Sequence, residues 1–170
     1  MSDVVIDTNV LLVADGRGEQ MSEDCLIACV KRLELVRESE RVVLDYGWLI
    51  LGEYQNKLVP NGSPTPGNAF LKWLLQAQQI TWVTITPTNA ESNKFAEFPP
   101  DDGLVNSFDP EDRKFVAVAN AHPDKPPILE SADSKWLGWE NQLKAHGINV
   151  EMICRRELEE IHKRKTNHLQ

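Results

Sequence analysis

Four acidic residues are candidates for metal-dependent chemistry, although they lie far apart along the chain. Asp7 directly follows the apolar run Val4–Ile6, Glu53 lies in an apolar helical segment, Asp112 is near the start of a later helix, and Asp133 follows the run PPILES by two residues. Carboxylate oxygens with no His or Cys cluster beside them favour Mg²⁺ or Mn²⁺ over zinc. The four acids therefore suggest a hard-metal site if the fold brings them together.

Each of these acids also has a purely structural explanation. Asp7 could form an Asx turn, Asp112 could stabilise the first turn of its helix through the helix dipole, and Asp133 could cap the helix that begins near residue 134. Glu53 is harder to explain, because its neighbours are apolar and an unpaired buried carboxylate is costly. Lys57, four residues further along the same helix, could be its partner.

The elements that must position these acids alternate between strands and helices. Apolar runs near residues 4, 42, 81, 128 and 149 are typical of strands, and amphipathic segments separate most of them. This order predicts an α/β fold, a three-layer α/β/α sandwich around a mostly parallel sheet of about five strands. The carboxyl ends of parallel strands share one rim, so the acids that follow strands are expected there. We expect one domain over 1–170, with a polar C-terminal helix from about 155.

Apolar periodicity and capping residues predict the positions of the helices. The expected helices start at Ser22, cover 46–58, run through Phe70 and Leu75, start again at Asp109, and cover 134–146 and 155–165. Asp45 and Asp109 are the expected caps of the second and fourth of these. Residues 8–20 and 86–108 show no period and are predicted as loops, the second long enough to be functional.

Composition limits the classes of protein that the chain can represent. With 18 Lys and Arg against 26 Asp and Glu, the net charge of −8 argues against binding nucleic acid through a general positive field. A nuclease stays compatible, since acids that surround divalent cations count as negative in the sequence. Cys25, Cys29 and Cys154 are interpreted as small buried hydrophobes in a reducing compartment. With no leader peptide and no run of about 20 apolar residues, we expect a cytoplasmic protein without a membrane span.

The motifs VVIDTNVLL, GEY, DPEDRKFVAVANA and ESADSKWL occur in this order over almost the whole chain. Together they resemble the PIN-domain family of metal-dependent ribonucleases. The resemblance implies a PIN-like fold and a hydrolase, an endoribonuclease that uses Mg²⁺ or Mn²⁺ to cut phosphodiester bonds of single-stranded or structured RNA. The last motif departs from the family pattern, because Lys135 stands where a second acid is common. This replacement affects one peripheral metal contact.

The resemblance also implies roles for individual residues. Asp7, Asp112 and Asp133 would bind metal, with Asp7 shared by two ions about 4 Å apart, and Glu53 would position the attacking water. Asn9, Ser131 and Asp109 would not bind the metal but would orient these carboxylates, for example through hydrogen bonds. The cations available to contact RNA are Arg17, Arg113, Lys114 and Lys135.

Partners follow from the same resemblance. Many PIN-domain proteins are toxins held by an antitoxin protein, others process RNA, and dimers are common, so an antitoxin or a homodimer is an expectation here. Trp48, Trp73 and Trp82 could contact an antitoxin helix, but we predict that they belong to the core. The main alternative function is a non-catalytic PIN-like binding or assembly module. A phosphatase with an aspartyl nucleophile commonly has a second acid where this chain has Asn9, and a dinucleotide-binding fold would need a glycine fingerprint after the first strand.

Overall fold

A parallel sheet places the candidate acids at one edge. The computed structural model describes residues 1–18, 20–89, 91 and 93–169. Its strands are β1 (Ser2–Ile6), β2 (Glu40–Asp45), β3 (Ile80–Val83), β4 (Pro87–Asn89), β5 (Lys94–Phe95), β6 (Ile128–Glu130) and β7 (Val150–Met152). Five of them form a sheet in the order β3-β2-β1-β6-β7, in which all neighbours are parallel. This sheet and its flanking helices confirm the predicted α/β/α sandwich.

Helices connect and cover the strands. They are α1 (Thr8–Ala14), α2 (Glu23–Ser39), α3 (Leu49–Lys57), α4 (Pro66–Gln76), α5 (Asp102–Ser107), α6 (Arg113–Ala121), α7 (Lys135–Ala145) and α8 (Arg155–Asn167), with a 3₁₀ turn at Pro110–Asp112. Ser22 caps α2 as predicted, because its side chain accepts the Cys25 N–H at 3.2 Å. No helix in these described ranges is both long and apolar enough to span a bilayer.

The central strand β1 sets the register of the whole sheet. Val4, Val5 and Ile6 are fully buried, as expected for a strand covered on both faces. Val4 pairs with Val42 on one side and Ile6 with Leu129 on the other. Asp7 continues the ladder on the second side, since its N–H donates to the Leu129 carbonyl at 3.0 Å. Continuing the register by one residue sets Asp7 beside the last residue of β6, Glu130.

Two segments predicted as loops contain regular structure. Within residues 8–20, α1 forms directly after Asp7, whose side chain caps it by accepting the Asn9 N–H. Its apolar residues are so closely spaced that no polar face marks it as a helix. Within residues 86–108, β4 and β5 form a short hairpin and α5 follows, capped by Asp101. Elements this short leave no readable period in the sequence.

Two predicted helix starts are shifted. The segment 46–58 becomes helical only at Leu49, because Trp48 adopts a left-handed conformation with φ of 62°. Asp45 still acts as the predicted cap, accepting the N–H groups of Leu49 and Ile50 at 2.9 and 3.0 Å. Asp109 makes no side-chain cap, and Pro110 opens the 3₁₀ turn that precedes α6.

The interpretation of the cysteines was wrong for two of the three. Cys25 in α2 and Cys154 before α8 form a disulfide with a Cα–Cα distance of 5.6 Å. Their separation of 129 residues hides the pairing in the sequence, because only the fold brings α2 against the end of β7. Cys29 is a buried free thiol as predicted, and burial raises its pKa to about 11. The disulfide removes the support that three free thiols gave to a reducing compartment.

Two glycines provide a test of the packing. Gly67 lies where α4 crosses α1, and a Cβ there would come within 2.6 Å of the Leu11 carbonyl oxygen and 2.8 Å of the Asp15 side chain. We predict that Gly67→Ala lowers the free energy of unfolding by about 1–3 kcal/mol through overpacking. A Cβ at Gly52 in α3 meets no atom within 4 Å, so Gly52→Ala should gain about 0.5–1 kcal/mol of helix propensity. Urea unfolding of both variants checks the pair, and equal effects would contradict the close approach of α1 and α4.

Candidate metal centre

A groove of about 1070 Å³ opens at the carboxyl edge of the sheet. It is lined by residues from the end of β1, from α3, from the 3₁₀ turn and from the segment before α7. All four acids singled out in the sequence, Asp7, Glu53, Asp112 and Asp133, contribute to this lining. The fold thus brings together carboxylates that are up to 126 residues apart in the chain.

Three aspartates in the groove have the spacing of a cation site. Asp109, Asp112 and Asp133 each offer one carboxylate oxygen, and these oxygens lie within 4.8 Å of one another. Two oxygens bound to one cation lie at most about twice the bond length apart, which is about 4.2 Å for Mg²⁺ and about 5 Å for Ca²⁺, so 4.8 Å is close to the upper limit for a shared oxygen-ligated cation. Asp109, which we expected to support the ligands, therefore lies among them. Asp133 also caps α7, because its Oδ1 accepts the Lys135 N–H at 3.0 Å.

Asp7 reaches the groove from the interior. Its side chain is only 2% exposed, and its Oδ1 accepts the backbone N–H of Asn9 at 2.8 Å. Asn9 thus supports this carboxylate, as expected, but through its main chain. Asp7 Oδ2 is buried and has no hydrogen-bond donor within the described ranges. A buried carboxylate oxygen without a donor is costly unless a proton or a cation satisfies it.

Sequence reasoning missed Glu130, the fully buried last residue of β6. Its Oε1 accepts the backbone N–H groups of Ser131, Ala132 and Asp133, each at 3.0 Å. Its Oε2 has no donor among the described residues, and its carboxyl group lies within hydrogen-bonding reach of Asp7. Two carboxyl groups can bond to each other only when one carries a proton. The sequence does contain a signal for Glu130, because it is an acid at the end of the otherwise apolar strand β6. This strand is the neighbour of β1, which Asp7 directly follows.

Crowding of carboxylates dominates the electrostatics of the groove. Burial and the nearby Glu130 carboxylate hold the pKa of Asp7 well above its usual range. Burial also raises the pKa of Glu130 to about 7, although its backbone donors oppose the shift. The pKa of Asp112 is raised to about 8 by burial and by the charges of Asp7 and Asp133. Without a cation, this centre therefore retains protons near neutral pH.

Glu53 is held by two residues from other elements. Its Oε1 accepts a hydrogen bond from the Thr8 hydroxyl at 2.7 Å, and its Oε2 forms an ion pair with Lys114. The suggested partner Lys57 was wrong, although Lys57 also lines the groove. Spacing along one helix can identify only a partner on that helix, such as Lys57. Thr8 in α1 and Lys114 in α6 contact Glu53 because the fold packs these helices near α3. Glu53 is consequently fixed in position, and Lys114 is held at the groove.

Lys135 brings a positive charge to the edge of the aspartate cluster. Its ammonium group pairs with Asp109 Oδ2 at 2.8 Å, and its side chain is 57% exposed. The hydrogen bond to Asp109 raises the pKa of Lys135, with smaller contributions from the charges of Asp133 and Asp112. Lys135 therefore competes with any cation that binds Asp109.

The remaining predicted site residues have different surroundings. Arg113 is buried and donates to the carbonyl groups of Val105 and Phe108 at 2.9 and 3.2 Å, so its predicted contact with RNA is wrong. Arg17 donates to the Lys57 carbonyl at 2.5 Å from an exposed position. Ser131 is fully buried behind the groove and supports Glu130 through its N–H.

Only one of the three tryptophans predicted in the core lines the groove. Trp48 is 55% exposed, so its assignment to the core was wrong. Trp73 and Trp82 are partly buried and pack against the core. The apolar residues that flank Trp48 in the sequence suggested burial, but the turn before α3 directs it outward.

No protein-family model, curated protein or solved structure matches this chain. The support for a function comes from the geometry of the groove and from the chemistry of its side chains.

The protons held by the groove predict how stability depends on pH in the absence of metal. The folded chain binds protons on Glu130 and Asp112 up to about pH 7 and 8, whereas the unfolded chain loses them near pH 4. The free energy of unfolding should therefore fall as the pH rises from about 5 to 8. Asp112→Asn should reduce this slope and raise stability at pH 8 by at least about 1 kcal/mol, or about 2–4 °C in Tm.

Thermal unfolding in EDTA at several pH values measures this dependence. Stability that rises between pH 5 and 8, or an Asp112→Asn variant with the wild-type slope, would contradict the proposed crowding of carboxylates.

Proposed function

We propose that the protein is a divalent-metal-dependent endoribonuclease that hydrolyses phosphodiester bonds of single-stranded or structured RNA. The observation that carries the proposal is the convergence of Asp7, Asp112, Asp133 and Asp109 in one groove at the carboxyl edge of a parallel sheet. Ligands commonly bind at this edge in open α/β sheets. The motif resemblance to PIN-domain ribonucleases points in the same direction.

The side chains fit Mg²⁺ or Mn²⁺ better than a softer metal. The donors are carboxylate oxygens, with three of them within 4.8 Å of one another. Asp7 Oδ2 adds a buried oxygen that lacks a donor within the described chain. Asp109, Asp112 and Asp133 would hold the ion, and Asp7 would join them from the interior.

The chain's own residues would position the substrate around this ion. When bound, the metal would act as a Lewis acid, activating water and stabilising negative charge on the phosphodiester. Glu130 supports the segment 131–133 through three N–H bonds, which keeps Asp133 in place. Thr8 and Lys114 keep Glu53 at the groove, where its charge is balanced by the ammonium group. Side chains that are already fixed in position can align a water molecule and a phosphodiester for reaction without first becoming ordered.

A second function is favoured by one specific observation. Lys114 neutralises Glu53 and Lys135 pairs with Asp109, so two of the groove's acids already have cationic partners. A non-catalytic PIN-like module that binds a partner without cutting it would tolerate such pairing. The two functions differ in whether removal of a carboxylate changes the RNA.

Substitution of the central acids tests the catalytic function. We predict that the wild-type protein cleaves single-stranded RNA with Mn²⁺ or Mg²⁺ and not in EDTA. Asp7→Asn and Asp133→Asn should each lower the cleavage rate by at least about 100-fold, since even residues behind metal ligands contribute 10- to 100-fold. Gel analysis of a labelled RNA over time gives the rates.

The matched control is Asp24→Asn, the same change at an exposed position in α2. This variant should cleave at the wild-type rate. Cleavage by Asp7→Asn as fast as by Asp24→Asn would contradict the proposed metal-dependent ribonuclease activity, and so would cleavage without metal. A wild-type protein that binds RNA but leaves it intact would favour the non-catalytic module.

Lys135 provides a separate test of the metal centre that does not need a substrate. We predict that Lys135→Gln binds Mn²⁺ about 2- to 5-fold more tightly than the wild-type protein. The reason is that the Lys135 ammonium group no longer competes with the metal ion for the Asp109 carboxylate. Isothermal titration calorimetry measures the affinity. Lys31→Gln, which removes an equal charge from an exposed site on α2, is the control. Weaker binding by Lys135→Gln than by Lys31→Gln would show that Lys135 supports the ion.

A further inference from the structure

The groove is too acidic to hold a nucleic acid by charge alone. Among its lining residues are six acids, Asp7, Glu53, Asp109, Glu111, Asp112 and Asp133, and two lysines, Lys57 and Lys114. Lys114 is already paired with Glu53. Protein contacts with nucleic acid usually draw much of their affinity from cations that neutralise phosphates. A polynucleotide in this groove therefore needs a contact that does not depend on positive charge.

Trp48 offers such a contact at the groove. It lines the groove together with its neighbour Leu49, and more than half of its surface is exposed. Nucleic-acid bases stack on aromatic rings whatever their sequence, because every base has a π-face. Tyr46 in the same turn is also exposed and stacks on Trp82 at a centroid distance of 5.7 Å, so this turn presents two aromatic side chains.

The backbone at Trp48 argues against a role in stability. Its φ of 62° lies in the left-handed region, which is an outlier for a bulky residue and suits Gly or Asn much better. Residues held in such conformations tend to cluster at binding and active sites. Asp45 enforces the turn by accepting the N–H groups of Leu49 and Ile50. The fold thus holds the backbone of Trp48 in a disfavoured conformation, although more than half of the residue's surface is exposed and unpacked.

We infer that Trp48 is a stacking platform for an unpaired base of single-stranded RNA beside the acidic centre. The inference rests on the proposed function, which supplies the polynucleotide, and it specifies the substrate class as a strand with accessible bases. A base within a duplex is stacked on its neighbours and cannot cover the ring. Stacking supplies affinity that the two lysines of the groove do not, and it places the strand in the groove that Asp112 and Asp133 also line.

Binding measurements with Trp48 variants test the inference. The probe is a fluorescein-labelled oligoadenylate of about eight nucleotides, measured by fluorescence anisotropy with Mg²⁺ in an Asp7→Asn background that keeps the RNA intact. Trp48→Asn should weaken binding by at least about fivefold, as expected for the loss of one stacked base, while Trp48→Phe should retain most of the affinity. Leu35→Ala, which trims an exposed apolar side chain on α2, should bind like the parent.

Two further measurements separate stacking from a structural role. An abasic oligomer of equal length should bind equally weakly to Trp48→Asn and to the parent, because it has no base to stack. Trp48→Asn should also melt no more than about 3 °C below the parent, since asparagine tolerates the left-handed backbone. A larger drop in Tm, or loss of affinity for the abasic oligomer, would overturn the inference.

The outcomes distinguish this inference from the proposed function. Unchanged binding of oligoadenylate by Trp48→Asn overturns the stacking platform, whether or not the wild-type protein cleaves RNA. Base-dependent binding that requires Trp48 supports the platform, even if the protein with Asp7 intact cleaves nothing and the ribonuclease assignment fails.

Discussion

The pairing of β1 with β6 is the constraint on which the rest of the site depends. Because the two strands run parallel and in register, Asp7 directly after β1 and Glu130 at the end of β6 become neighbours in the interior. Two buried carboxylates so close together are unstable without a cation. The pairing of the strands therefore requires that this pair binds either a proton or a metal ion. The segment 131–133 then wraps around Glu130 through three N–H bonds and delivers Asp133 to the groove.

Several acids of the groove use one carboxylate oxygen to hold the local backbone. Asp7 Oδ1 caps α1 while Oδ2 stays without a donor in the described chain, and Asp133 Oδ1 caps α7. Glu130 uses Oε1 for the following backbone, and its Oε2 has no donor among the described residues. A carboxylate anchored by one oxygen has little rotational freedom left, which positions the second oxygen within a narrow range. The hydrogen bonds at the helix starts that explain Asp7 and Asp133 structurally therefore leave one oxygen of each carboxylate free of that task, which is compatible with the proposed binding of a cation.

Local signals made much of this arrangement predictable, and tertiary contacts account for what was missed. Apolar runs that end in acids, such as Val4–Ile6 before Asp7, located the strands and their shared edge. Glu130 was missed because it belongs to the segment PPILES that predicts β6, and only the strand order reveals that its neighbour is Asp7. Lys114 reaches Glu53 from α6, and Cys25 meets Cys154 across 129 residues, distances at which spacing carries no information. The exposure of Trp48 depends on one left-handed residue that its apolar neighbours conceal.

The disulfide between Cys25 and Cys154 has a mechanical consequence. It closes a covalent ring that contains β2, β3, β6 and β7, whereas β1 and α1 lie outside the ring. A pulling force applied to the chain on either side of the ring cannot extend the segment between the two cysteines, whose sequence separation is 129, and this segment would otherwise reach about 450 Å at about 3.5 Å per residue. Tension would act on the elements outside the ring, which are β1 and α1 on one side and α8 on the other, and withdrawal of β1 would remove Asp7 while the other strands of the sheet stay tethered.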